Sequence, residues 1–598
     1  MKLLLLLSLR LSTGMLATPP PRPVYVSTTG SDDGDGTTAH PFATLSRAQA
    51  AVRARPVSDR HVLIGDGTYH LAATLALNSK DDGSIYEAIH PGRVVLSAGR
   101  PLPADAEGVT EAAILAQLPP ASRAATEASA GSRAGGDGSG NVRSVRVVDL
   151  KASFGLTDYG QFSGRGSPNA DAHLEMHAPM IAASGLELFW SPSSTSPAPT
   201  PSPASSASFA SPSASASSKE MIRASYAAYP PNASGHNLIF SKMGAVDAHA
   251  PVGEPGFALD ADAALASSRW AAQFDSPKPD VWGHGFWQWR WADAHYEAAR
   301  LAVTNAVTNA DPSASATSSA DHNGTDHTHS SVPAASSSQH AASVSLYFKT
   351  PVAPPGPDDC AKVVCCGDCQ IAVASGSRGG GSEIFFLYNL LGELDEPNEV
   401  YLNRTSGKLY FIPPAPSLAV PAWTGVVSVL EHVVDIRNAS DVVLRGVALQ
   451  HSRGIALNIV NTSAIQALNI RVEGAGSTGI NVTSSSDCVL DTVTVRGTGD
   501  SGVVLDGGDR STLTPARGVL RNSSISKTNY YVWSNAPVAF VGGVGNTITG
   551  TELFESTHQA VWVQGNDHLL EGNDIHDVMQ QTEDSGAVYA GRDWTYVY

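Results

Sequence analysis

The sequence predicts an all-β protein organised as a parallel β-helix solenoid, and three observations carry that expectation. Short apolar strands recur behind small-residue or Gly breaks in the last quarter of the chain: Gly454-Ile-Ala-Leu, Gly479-Ile-Asn-Val, Gly502-Val-Val-Leu, Pro537-Val-Ala-Phe, Ala560-Val-Trp-Val and Gly586-Ala-Val-Tyr. Their intervals of 25, 23, 35, 23 and 26 residues are those of stacked structural repeats. Each strand alternates with period two, as a strand with one buried face does. A second strand set accompanies the first, as in Val443-Leu444-x-x-Val447-x-Leu449 and Val489-Leu490-x-x-Val493-x-Val495, with no helical pattern between. An antiparallel sandwich would not hold so fixed a period.

With each break as the origin of a rung, the inward column reads Ile455/Leu457, Ile480/Val482, Val503/Leu505, Val538/Phe540 and Val561/Val563. The outward column reads Ala456, Asn481, Val504, Ala539 and Trp562. Asn481 opens an Asn-x-Thr acceptor sequence, which needs an exposed Asn. The same register puts Gly507, Gly542, Gly565 and Gly591 in line, and Asp567 and Asp593 on adjacent rungs. Neighbouring strands lie about 4.8 Å apart. Carboxyl groups about 5 Å apart suit retaining glycoside hydrolysis, one as nucleophile and one as acid/base. Ordinary turn chemistry, with Asp bonding its own backbone, accounts for the same G-x-D strings. Asp584 precedes its strand at the opposite end, roughly 13 Å from Asp593. That spacing suits an inverting pair only where the turns fold inward. The expected substrate binders are His558, Trp562, His568, Arg592 and Trp594. His568 and Arg592 would fix hydroxyls or damp carboxylate charge, and Trp594 would form a sugar platform; a structural role competes for each.

The strings GVVLDGGDRSTLTP, VGNTITGTELFESTHQAVWVQGNDHLLEGNDIHDV and TEDSGAVYAGRDW resemble the right-handed parallel β-helix proteins in or near glycoside hydrolase family 141. The resemblance covers most of the chain outside four insertions. It implies a pectin-lyase-like fold and α-L-fucosidase or xylanase activity on plant-type polysaccharide. In that family the chain runs on past GRDW for further rungs. Here it stops at Tyr598, so C-terminal rungs are expected to be missing. The stretch SKTNYYVWSNAPV departs from the family's more basic turn.

The chain has 598 residues, 42% of them apolar and 16% charged, with a formal net charge of -18. That supports a large core and offers no basic surface to nucleic acid or an anionic membrane. It also favours a neutral sugar over a polyuronate. Residues 1–17 read as a secretory signal, with Lys2, a Leu-rich core and small residues before Ala17. No other stretch has the length of a membrane span. Seven acceptor sequences (Asn232, Asn323, Asn403, Asn438, Asn461, Asn481, Asn522) fit a secreted route. Cys360, Cys365, Cys366 and Cys369 lack a His or a second CxxC at ligand spacing and read as a local disulfide knot, with metal binding as the lesser alternative.

Residues 24–105 are read as a cap and the first rungs. A helix with Thr44 as N-cap and Leu45, Ala48 and Val52 on one face would cover the open end of the solenoid. Asp32, Asp33 and Asp35 could take calcium, the one cofactor the acidic turns suggest. Residues 140–430 are read as an inserted β-rich region and 431–598 as the repeats. Four Ser-, Ala-, Pro- and Gly-rich blocks, 120–140, 191–218, 306–342 and 353–382, are expected as disordered insertions. The string from Trp282 to Asp293 is dense in aromatics; Trp287, Trp289 and Trp291 either line a carbohydrate cleft or pin the inserted region. Gly283-His-Gly, within it, is read as carrying no site. The expected protein is a secreted monomer that hydrolyses cell-wall polysaccharide through paired carboxylates. A calcium-dependent polysaccharide lyase and a non-catalytic glycan-binding or wall-structural protein are the alternatives.

Overall fold

A computed structural model describes residues 22–103, 106–128, 143–160, 186–192, 221–223, 225–226, 228–229, 241–246, 256–259, 266–286, 290, 293–304, 343–349, 384–415 and 423–590. The leader, the four clustered cysteines, Trp287, Trp289, Trp291 and the blocks 306–342 and 353–382 lie outside these residues, as does most of 191–218.

Three parallel sheets build a solenoid: sheet A of nine strands, sheets B and C of eight each. One rung runs through A, B and C in turn, as in Val443–Arg445, Val447–Ser452 and Leu457–Val460. The alternation of the sequence becomes inner columns. Leu444, Ala467 and Leu490 stack in sheet A, Leu449, Val472 and Val495 in sheet B, and Leu457, Ile480 and Val503 in sheet C. All belong to one buried cluster. Chain reversal after the sheet C strands uses left-handed residues, Asn438 at φ 52° and Asn461 at φ 53°, a conformation Asn tolerates. Asn461 Nδ2 donates to Asn438 Oδ1 at 2.6 Å, so successive turns are tied along the axis.

The helix Leu45–Arg53 forms as its sequence requires: Thr44 caps it by accepting from the Arg47 N–H, and Leu45, Ala48 and Val52 enter the same cluster. Asp32 accepts from the backbone of Ala43 and Thr44 and from the Thr44 hydroxyl, and Asp35 accepts from the Thr37 N–H. These two acids of the turn thus serve as caps and turn acceptors.

The register differs from the expected one at three rungs, the last of them the strand Val588–Ala590, whose Val588 and not Ala587 pairs with Val561. Leu457, not Ile455, pairs with Ile480, because the Gly breaks do not occupy one turn position. Gly479 lies where a Cβ would stand 2.7 Å from the Gly502 carbonyl oxygen, a corner with no room for a side chain; Gly454 lies elsewhere, against Glu431. In the rung after the long turn, Ala539 and Val541 face inward and Phe540 outward. A one-residue slip exchanges the faces of a strand. The stacked glycines are therefore Gly507, Gly543 and Gly565, not Gly542. Asn481 is also corrected: it is buried, and its Nδ2 donates to Asn458 Oδ1 at 2.8 Å, while Asn458 Nδ2 donates to Asp435 Oδ1 at 2.8 Å.

After Val94–Ser97 in sheet B the chain leaves the solenoid and rejoins it at Val434–Arg437 in sheet C. The described residues between form three mostly antiparallel sheets with apolar cores of their own. The block 120–140 is not wholly irregular, since Pro120–Ala128 is a helix whose Thr126 hydroxyl accepts from the Val145 N–H. Pro at the first helical position and the alanines that follow favour it. Among the described residues no helix is long and apolar enough to cross a membrane.

Candidate functional site

The expected site residues divide between the two ends of the strand Val561–Val563. His558 and Asp584 lie on stacked turns that enter sheet C; Asp567 and His568 lie on the turn that leaves it. Asp593, Arg592 and Trp594 are outside the described residues. The last described strand pairs Val561 with Val588, one residue away from the alignment that would place Asp567 opposite Asp593. Asp567 itself is exposed, at φ 59°.

The two histidines are tied into the backbone. His568 Nε2 donates to the Gln564 carbonyl at 2.8 Å, and its Nδ1 accepts from the Asn546 N–H at 3.1 Å. Burial lowers its pKa, so the neutral ring staples one turn to the next. His558 is buried, and its Nδ1 accepts from the Asn535 N–H at 2.8 Å. Trp562 points outward and half-buried, with ring centroids 6.1 Å from both Phe540 and Tyr589. Asp584 is exposed at φ 59°. Its neighbour Glu583 donates its N–H to the Arg290 carbonyl at 3.2 Å and lies 3.9 Å from the Arg290 guanidinium, within the aromatic string of the inserted region.

That string takes part in the main joint between the inserted region and the solenoid. The buried Asp293 carboxylate accepts from His284 Nε2 at 2.8 Å, from the Trp533 and Ser534 N–H groups at 3.0 Å each, and from the Ser534 hydroxyl. His295 stacks on His284 with centroids 3.6 Å apart, donates Nε2 to the Tyr531 carbonyl at 2.8 Å and accepts from the Tyr388 hydroxyl at 2.9 Å. His284 and Asp293 thus have a docking role that the sequence reading of Gly283-His-Gly missed. A second contact is made by Arg223, which is held within the inserted region by a buried ion pair with Glu187 at 2.9 Å. Arg223 also donates to the Ala475 and Gly497 carbonyls at 2.7 Å each, and its guanidinium lies over the Tyr530 ring at 4.7 Å. Burial raises the Glu187 pKa to about 7.

A different acid pair is assembled on the outer face of sheet B. The strands Glu552–Phe554 and Asp574–His576 are neighbours in register, with Glu552 opposite Asp574 and Phe554 opposite His576. One oxygen of each carboxylate and one nitrogen of His576 lie within 4.8 Å of one another. The Ser524 hydroxyl donates to Glu552 Oε2 at 3.1 Å from the strand beneath. Asp574 is exposed and Glu552 half-buried. Strand pairing explains the juxtaposition: in-register residues of parallel strands hold their side chains on one face, a strand spacing apart. The signal in the sequence is the repeat of acid, apolar residue and aromatic ring in Glu552-Leu-Phe and Asp574-Ile-His, each behind a Gly-containing turn.

The fold thus defines the class: a parallel β-helix carrying an inserted β-sheet region on its turns. No protein-family model and no curated protein matches the chain. Among solved structures, one described as "Glycoside hydrolase" superposes with a TM-score of 0.56 at 13% identity, over 95% of this chain and 85% of its own. The A-module of the Azotobacter vinelandii mannuronan C-5 epimerase AlgE6 aligns with a TM-score of 0.20 at 18% identity, over 27% of this chain and 44% of its own. XylC in complex with xylose aligns with a TM-score of 0.33 at 8% identity, over 93% of this chain and 63% of its own. The first likeness is one of fold: the chain shares the architecture of a solved glycoside hydrolase, as the motifs led one to expect.

Proposed function

We propose that this protein is a glycoside hydrolase that acts on polysaccharide outside the cell. The observation that carries the reading is the register-matched pair of Glu552 and Asp574 on an open face of the solenoid. Their closest oxygens, within 4.8 Å, approach the separation of about 5–5.5 Å used by retaining enzymes. Glu552, held by Ser524, is the nucleophile, and the exposed Asp574 is the acid/base. The Glu552 carboxylate attacks the anomeric carbon as the glycosidic bond breaks, and the Asp574 proton passes to the leaving oxygen. Water then attacks the same carbon, gives its proton to Asp574 and frees the Glu552 carboxylate. The fold shared with a glycoside hydrolase supports the reaction class. The Leu-rich residues 1–17 support the extracellular location.

A second placement of the acids, at Glu583 and Asp584, is favoured by the Glu583 contacts with Arg290 of the aromatic string. Release of reducing ends from fucosylated, xylan and pectic glycans separates the two. Glu552→Gln is expected to abolish release, and Asp574→Asn to lower it about 10²–10⁴-fold, with Asp584→Asn and Asp567→Asn near wild type. Loss in Asp584→Asn alone transfers the chemistry to the turn. Calcium-dependent release of unsaturated ends identifies a lyase, and glycan binding without turnover a binding protein.

A further inference from the structure

We infer that His576 is a positioning residue for the proposed hydrolysis: held as an imidazolium between Asp577 and Glu552, it orients the Glu552 carboxylate toward the sugar. The inference rests on the reading of Glu552 and Asp574 as the catalytic pair. It starts from hydrogen-bond bookkeeping at one ring. His576 Nδ1 lies 2.9 Å from Asp577 Oδ2, and Nε2 lies 3.4 Å from Glu552 Oε1. An ionised carboxylate only accepts, and a neutral imidazole has one N–H and one lone pair. A neutral ring would therefore turn a lone pair toward one of the two carboxylates. Only the doubly protonated ring donates to both.

The surroundings suit a cation. Asp574 and Asp577 face the ring from its own strand and turn, and Glu552 faces it from the neighbouring strand. The ring stacks on Phe554 with centroids 4.8 Å apart and 21° between planes, which fixes its plane and so the direction of both N–H bonds. The Asp577 bond, with help from Glu552, raises the His576 pKa. Ser524 holds one Glu552 oxygen and His576 the other, so the carboxylate is gripped from both sides.

The sign follows directly. A raised histidine pKa extends the charged form to higher pH, and the ring loses its second proton as pH rises through that value. Above it, one nitrogen lone pair faces a carboxylate, the grip on Glu552 loosens, and kcat falls with KM little changed. His576 therefore sets an alkaline limb in the rate.

The test combines pH–rate profiles with the titration of the His576 resonance in protein made with isotope-labelled histidine. In wild type the His576 resonance titrates above the ordinary histidine range. Asp577→Asn moves both the resonance and the alkaline limb to lower pH, and His576→Gln removes the limb while lowering kcat. Glu552→Gln, expected to be inactive, still lowers the His576 titration, so the ring contacts are read without activity. If Glu552→Gln remains active, the catalytic reading falls, while the histidine titration decides the contacts separately. The inference is overturned if the resonance titrates normally and ignores Asp577→Asn and Glu552→Gln. It is equally overturned if His576→Gln raises KM and leaves the limb in place, which is the behaviour of a substrate binder.

Discussion

Asp293→Asn is the substitution that most severely tests how the inserted region is held. The wild-type carboxylate, 2% exposed, takes four donors: His284 Nε2–H, the N–H groups of Trp533 and Ser534, and the Ser534 hydroxyl. An asparagine keeps one acceptor oxygen and turns an NH2 group toward two of those donors. Each buried donor left unmet costs about 1–3 kcal/mol, so two cost about 2–6 kcal/mol in total. The neighbouring His284–His295 stack and the Ser534 hydroxyl can reorient, which favours the lower half of that range. The loss concerns the joint, not the solenoid core, so it should appear as early unfolding of the inserted region. Limited proteolysis and denaturant titration followed by tryptophan fluorescence, to which Trp533 at the joint contributes, measure it. Earlier cleavage within residues 143–432, with a shift of the first transition by this amount, is expected. A shift under about 1 kcal/mol, the net worth of one ordinary hydrogen bond, would refute Asp293 as the anchor.

Three other outcomes are expected. Glu187 carries a pKa of about 7 in the folded protein because it is buried. For a carboxyl raised by folding, the stabilising contribution is complete below the unfolded value and is lost as pH rises through the folded one. Stability should therefore decline between about pH 4.5 and 7, and Glu187→Gln should flatten that part of a stability–pH curve. His568→Ala leaves the Asn546 N–H without its acceptor and should lower stability by about 1–3 kcal/mol in a denaturant titration; an unchanged midpoint with a raised KM would instead make His568 a sugar contact. Leu505→Ala, in the inner column of sheet C, should cost about 2–5 kcal/mol in the same measurement.

The solenoid was legible because its signals are local and repeated. Apolar alternation and the Thr44-capped helix each need only a few consecutive residues, and both hold. The exact register was less legible. A Gly break marks a turn without marking which residue of the turn it is, as Gly454 and Gly479 show. Counting from the Pro537 break puts Phe540 inside by alternation; one residue of shift turns it outside, where it meets the Trp562 ring. Asn481 was expected to be exposed as an acceptor sequence, yet side-chain amides stacked rung on rung satisfy one another and can be buried. The joint had no local signal at all, since Asp293 and Ser534 meet across 241 positions of sequence. The Glu552 and Asp574 pair lay between these cases. Strands of three residues give little periodicity, and the pair emerges only when the register of sheet B is known. For the acids of the turns, the sequence alone did not distinguish a catalytic carboxylate from turn chemistry, and Asp567 sits in a left-handed turn.

The most direct test of the account is to trap the covalent intermediate. The protein would be treated with 2-deoxy-2-fluoro glycosyl fluorides of fucose and xylose, digested, and the labelled peptide sequenced by mass spectrometry. The account predicts a single glycosyl ester on Glu552, absent in Glu552→Gln and still formed, more slowly, in Asp574→Asn. A label on Asp567, Asp584 or Asp593 in the wild-type protein would contradict it and move the nucleophile to the turns that flank sheet C.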